Sequence, residues 1–197
     1  MNKTLSETKK KILNVALDLS SKIGFVNLSI GELAKKVGMS KSGLFGHFKS
    51  KELLQKTVLD FAAFHFIQTV IKPAIKKERG IPRLEAIVLN WLHWSCEKHP
   101  GGCPIVTAVV EFDDRPGFIR EHVKQLQKEM IGGFYKATEI AVEEGQLQKD
   151  LDCGQFVYEL YSLMIGFQVY GRLLEEEIAE KRLKRSFGEL LERHKTC

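Results

Sequence analysis

No stretch of this 197-residue chain approaches the roughly 20 consecutive apolar residues that span a bilayer, so no membrane-embedded segment is expected. Met1 to Lys11 is polar and lysine-rich, with no apolar core or small-residue cleavage site behind it. A secretory signal is therefore not expected, and the cytoplasm is the default compartment. Cysteine is sparse and unevenly placed, at Cys96, Cys103, Cys153 and Cys197, without a CxxC pair. That pattern excludes a disulfide scaffold and reads as thiols in a reducing cytosol. Low-complexity tracts, internal repeats and convincing strands are missing too. So are the signatures of catalysis: there is no nucleophile elbow, phosphate loop, paired-carboxylate motif or H-E-x-x-H, and Gly101-Gly102 is too short to cradle a phosphate. An enzyme is not expected, and no cofactor is called for.

What is present is an ordinary globular balance, 44% hydrophobic and 28% charged, with one asymmetry. The length suits one small module plus a helical body with its own core. Residues 1–60 hold eleven lysines against five acids, a net +6, whereas the remainder carries −1. All the excess positive charge sits in the first third. A basic head on a neutral body suits a polyanion partner, although charge alone is equally a solvated lysine face.

Apolar residues recur at helical spacing almost throughout. Ile12, Ala16, Leu19 and Ile23 form one stripe of a first helix ending near Gly24. Ser29 and Glu32 have capping-box spacing ahead of a short helix over Ile30 to Val37, with Leu33, Ala34 and Val37 inward. Gly38 suits the left-handed end of that helix, and Ser40 suits the cap of a third, Lys41 to about Phe48, anchored by Leu44 and Phe48. Ser50 caps a long fourth helix that should stop near 72–80, where Pro73 and Gly80 intervene. The body should contribute helices from Pro82 to His99, Pro104 to Phe112, Phe118 to Glu144, Asp152 to Leu174 and Ile178 to Arg193. The expected fold is all-α, about nine helices in two domains: a head over 1–50 and, with the fourth helix as connector, a body over 51–197.

Ser29 to Phe48 has the spacing of a helix-turn-helix, two short helices joined by Gly38-Met39-Ser40. The second helix fits a major groove, with Lys41, Ser42 and Gly43 on its exposed first turn. Lys41 can donate to guanine O6 or N7, Ser42 can serve more than one base, and Gly43 admits close backbone approach. A helical hairpin with no ligand shares the bare pattern, but here it coincides with basic charge, caps and a polar outer face. Ser29 and Lys51 sit at helix N-termini, whose free N–H groups favour phosphate.

The run from Ile12 through Gly24-Phe25 and on from Ile30 to Leu54 resembles the signature of the TetR family over about the first 60 residues. The resemblance implies a homodimer, a palindromic double-stranded operator, and repression relieved by a small effector bound in a C-terminal domain that also dimerises. It further implies Ser29, Phe45, His47 and Lys51 as backbone-positioning residues, with Lys41, Ser42 and Gly43 as the readers. Phe45 departs from the usual tyrosine and gives up a phosphate hydrogen bond. Gly46 is a poor helix former, and Gly31 stands where some members carry a reading side chain.

In the family the last two long helices form the dimer interface, which here implicates Phe156, Leu160, Leu163, Phe167 and Tyr170. Trp91, Trp94, His93, Phe112, Phe134, Phe167 and Gln168 are candidates to line an effector pocket, with His93, Glu111, Tyr135 and Gln168 as polar fixers; a packed core accounts for most of the same aromatics. Two other sensors compete. His93, Cys96, His99 and Cys103 are soft ligands within eleven residues, but three of them fan apart along one helix. Cys103, ahead of Pro104 at a helix N-terminus, suits a redox-sensitive thiol. A sequence-neutral DNA-packaging protein would use the same basic head but not this recognition turn.

Overall fold

A computed structural model of the chain describes residues 6–98 and 101–196. Among these residues the chain forms nine continuous helices and no strand, only an isolated antiparallel bridge between Leu147 and Lys195. The head comprises α1 (Glu7–Ile23), α2 (Ile30–Val37) and α3 (Lys41–Phe48). Next come α4 (Lys51–Ile75) and α5 (Ile81–His93, continued by Trp94–Lys98), then α6 (Pro104–Phe112) and α7 (Phe118–Glu143). The chain ends in α8 (Cys153–Gln168, continued by Val169–Leu173) and α9 (Ala179–His194).

The boundaries follow from the capping chemistry. Ser29, Ser40 and Ser50 each accept at 3.1 Å from the backbone N–H three residues on, and Asp152 accepts from Gln155 at 2.9 Å. Each such cap typically stabilises its helix by about 1 kcal/mol. Gly38 ends α2 in the left-handed region, with φ 69°. The reciprocal half of the expected capping box does not form: Glu32 turns to Lys35, 3.2 Å away on the same helix face. Three helices contain a π-helical turn, at Ile67–Ile71, Trp94–Lys98 and Val169–Leu173. In α4 the wide turn directly precedes Pro73, with Lys72 N–H reaching back to the Ile67 carbonyl. Proline in a regular helix lacks a donor and clashes with the preceding turn; the looser turn lets the helix run on to Ile75.

Packing divides the chain into two compact units whose boundaries fall inside helices rather than at residue 50: residues up to His65 with Ser95–Gln127, and Phe66–Trp94 with the residues from Lys128 onward. In the first, α2 packs on α1 and α3, and Phe25, Leu28, Leu33, Leu44, Leu54 and Val58 are buried. The buried face of α1 is not the expected stripe. It is centred on Ile12, Leu13, Ala16, Leu17, Ser20 and Ser21, while Leu19 is half-buried and Ile23 is 37% exposed. The serines tolerate burial because their hydroxyls donate to the Leu17 and Asp18 carbonyls, both at 2.9 Å. Val37 is likewise only half-buried.

In the second unit the end of α4 packs on α5, and α8 packs on α9. Trp91 meets Phe167 edge-on at 5.8 Å, and Phe66 meets Trp94 at 6.1 Å. The chain end is tied down by the Gln148 N–H on the His194 carbonyl at 2.8 Å. One expectation needs correction. Within the 25 residues of α4 an 18-residue window has a mean hydropathy of 1.3, long and apolar enough to cross a membrane by length and composition. The helix's buried Leu54, Val58, Leu59, Ala62, Phe66 and Val70 recur at helical spacing, the pattern of a core helix, which passes the same test.

Candidate nucleic-acid interface

The short helices of the head leave α3 with two anchors and an open face. Leu44 and Phe48 are buried, whereas Lys41, Ser42, Gly43, Phe45, Gly46 and His47 are all exposed. This brings the expected reading residues and two of the positioning residues onto one surface. Phe45 is 54% exposed, an apolar ring among polar and glycine neighbours on that surface. The Ser42 hydroxyl lies 3.1 Å from that of Ser40, so the cap holds the reader in place. A side chain at Gly43 would press on Ser40 Oγ, its Cβ only 3.1 Å away, so glycine here keeps the cap intact.

Gly31 has a part that sequence reasoning missed. A Cβ there would lie 3.2 Å from Lys41 Cε, so the Lys41 stem runs across the surface that glycine leaves bare. Ser29 spends its hydroxyl on the Glu32 N–H at the mouth of α2. Lys51 is exposed, but its ammonium donates to the Val26 carbonyl at 2.5 Å, tying α4 to the α1–α2 corner. The residue after α3, Lys49, adopts φ 56°, a left-handed strain at the end of the recognition helix.

The body residues sort differently. Trp91, Trp94 and Phe134 are fully enclosed, and Phe112 and Phe167 nearly so. Phe112 belongs to the same compact unit as the head, while Trp91, His93, Trp94, Phe134, Phe167 and Gln168 belong to the other. The Gln168 side-chain nitrogen is buried without a hydrogen-bond partner; both amide atoms of Gln127, which the sequence did not single out, are in the same position. Tyr135 faces solvent. Glu111 is not a pocket residue: its carboxylate is engaged by the head, accepting from the Phe25 N–H at 2.6 Å and the Val26 N–H at 3.3 Å.

Of the interface candidates, Phe156 and Leu160 are enclosed within the protomer and Phe167 nearly so, because α8 turns that face toward α9. Leu163 is half-buried, and Tyr170 is 46% exposed. Two adjoining grooves of about 390 and 400 Å³ run between α8 and α9, lined by Tyr158, Ser162, Leu163, Tyr170, Arg182 and Ser186 among others. Beyond them Leu173 is 78% exposed, with Leu174 and Ile178 also open.

Neither rival sensor gains support. Among the described residues no three histidines, cysteines or acids gather to hold an ion, and His99 lies outside them. Cys103 caps α6 but is 1% exposed, shut away from oxidants that a sensing thiol must meet. Cys197 also lies outside the described residues. Burial, then the nearby Glu139 and Asp152 charges, raise the Cys153 thiol pKa.

Comparison with known proteins decides the family. Residues 12–56 match the model for bacterial regulatory proteins of the tetR family, and residues 80–187, more than half of the chain, match that for the tetracyclin repressor-like C-terminal domain. The chain belongs to the TetR family. It is a DNA-binding transcriptional regulator, with its helix-turn-helix at α2–α3. The transcriptional regulator RutR of Escherichia coli K12 is 25% identical over 156 residues, 71% of this chain and 68% of its own. A TetR transcriptional regulator from Chloroflexus aurantiacus has the same fold, with a TM-score of 0.82 at 20% identity over 96% of this chain and 98% of its own. AibR, solved with isovaleryl coenzyme A and operator DNA, aligns at a TM-score of 0.73 and 18% identity over 94% and 98%.

Proposed function

We propose that this TetR-family regulator acts in the cytoplasm as a homodimeric repressor of a palindromic operator, and that a small, uncharged or weakly charged organic effector held in its helical body releases it. The observation that carries the DNA half is the open face of α3. It presents one cation, one hydroxyl, two bare glycines, an exposed ring and an imidazole on a head of net charge +6. Lys41 and Ser42 address base edges, with Gly43 allowing close approach. Ser29, Phe45, His47 and Lys51 bear on the flanking sugar-phosphate backbone.

The dimer is supported by the half-open apolar strip from Leu163 through Tyr170 to Leu173, which a second copy of α8 and α9 would take out of water. The effector reading is supported by Gln168, whose buried unpaired donor stands beside Phe167, itself edge-on to Trp91. Leaving such a donor unmade costs about 1–3 kcal/mol, which a ligand's acceptor would recover. AibR offers the precedent of one TetR-like fold solved with both a small molecule and operator DNA.

The test is selection from a random double-stranded library with the purified protein. The expected product is a palindrome whose half-sites lie about 34–36 Å apart, bound by two chains per duplex. Recovery of no enriched sequence, despite tight binding at low salt, would leave only a non-specific basic head.

A further inference from the structure

The backbone of Phe25 and Val26, at the corner between α1 and α2, is gripped from two sides. Its carbonyls are taken by α4: Gln55 Nε2 donates to Phe25 O at 2.7 Å, and Lys51 Nζ donates to Val26 O. Its N–H groups are taken by α6, through the single carboxylate of Glu111. Gly24, with φ 81°, leaves the space that carboxylate fills; a Cβ there would sit 1.7 Å from a Glu111 oxygen. A second close approach lies beside it. Gly101 N–H donates to Ser21 Oγ at 3.2 Å, and a Cβ on Gly101 would overlap the Ser21 carbonyl. Thus the segment leading into α6, and the last turn of α6 itself, both bear on the end of α1.

We propose that Glu111 is a positioning residue for operator binding, the carboxylate through which α6 sets the orientation of the helix-turn-helix. The corner it holds leads directly into α2, whose far end carries α3. A carboxylate accepting two N–H groups is a charge-assisted, directional contact, stronger than a neutral pair. The head's own core (Leu28, Leu33, Leu44 and Phe48) does not depend on it, and the α4 contacts remain when it is lost. Removing it should therefore loosen orientation rather than unfold the head. A displacement of α6 would be passed to α3 through this contact, and by linkage operator binding must be felt at α6. The inference rests on α3 being the DNA-reading element, which Lys41→Ala tests separately.

The experiment measures Glu111→Ala, Glu111→Asp and Glu111→Gln against the selected operator duplex and a scrambled duplex, with amide hydrogen exchange on the wild-type full chain. Glu111→Ala, and Glu111→Asp with one methylene too few, should lose about tenfold or more on the operator and less than twofold on scrambled DNA. Glu111→Gln, which keeps an acceptor at the same reach, should recover most of the loss. In the wild type, operator should slow exchange at Phe25, Val26 and the last turn of α6, and Glu111→Ala should abolish the α6 response. Full operator affinity in a folded Glu111→Ala or Glu111→Asp overturns the proposal. So does an α6 indifferent to operator in the wild type, a result that needs no variant to fold. Loss of operator preference in Glu111→Ala while Lys41→Ala keeps it would overturn the reading role of Lys41 and leave Glu111 standing.

Discussion

The face of α3 and the face shared by α8 and α9 are both open, and they are open in opposite ways. On α3 every outward group but Phe45 is polar, charged or glycine, and the surrounding head is basic. On α8 and its continuation the outward groups include Tyr158, Leu163, Tyr170 and Leu173, with ion pairs such as Arg193–Glu159 at the margin. The first surface has little to gain from burial against another protein and much to gain beside phosphates; the second is the reverse. Burial also separates residues that share a helix. Leu160 and Leu163 are three positions apart on α8, yet one is enclosed in the protomer and the other lines the groove.

That separation carries the largest expected effect. A charge at Leu160 is buried without a partner and should cost roughly 3–5 kcal/mol, enough to abolish cooperative unfolding by circular dichroism. Leu163→Asp should instead melt normally but sediment as a monomer. It should bind operator about 100-fold or more weakly, since two half-sites no longer act together. Should both variants unfold alike, the two faces of α8 are not distinct.

A smaller effect sharpens the account of the other surface. Gly46 has open space where a side chain would go, so Gly46→Ala should stabilise the head by about 0.5–1 kcal/mol through helix propensity. Its thermal midpoint should rise. If operator affinity falls at the same time, Gly46 lies against DNA; if affinity holds or improves, the end of α3 stands clear.

The smallest effect is a pH dependence. Burial lowers the His65 pKa below its usual 6.5, so the unfolded chain takes up a proton more readily than the folded one. The contribution is fully present above the unfolded value and declines as pH falls through it toward the folded value. Urea midpoints between pH 7.5 and 5.5 should fall more in the wild type than in His65→Gln, and identical slopes would remove His65 from the acid response.

How much of this was legible in the sequence follows from the range over which each signal acts. Helix starts were legible because a cap is settled within four residues: Ser29, Ser40, Ser50 and Asp152 all bond as their spacing suggests. The exposed first turn of α3 was legible for the same reason, since Leu44 and Phe48 fix which side faces in. Periodicity shows that α8 has an apolar face but not whether α9 or a second copy covers a given residue, so Phe156 and Leu160 were grouped with Leu163. Nor does spacing reveal a contact across 86 positions. Glu111 looked like one more carboxylate near a pocket, and Gly24 like no more than the end of a helix, until the fold brought them together. The π-turns left no mark beyond Pro73, because one extra residue in a turn barely shifts the pattern.

The central claim is that the open face of α3 reads sequence while the rest of the basic head supplies charge. The most direct test titrates wild type, Lys41→Ala and Lys51→Ala against the selected duplex and a scrambled one across a salt series. Lys41→Ala should lose about 1–3 kcal/mol on the selected duplex and little on the scrambled one, and Lys51→Ala should weaken both and lower the salt slope by about one. Equal losses on both duplexes for both variants would contradict the account.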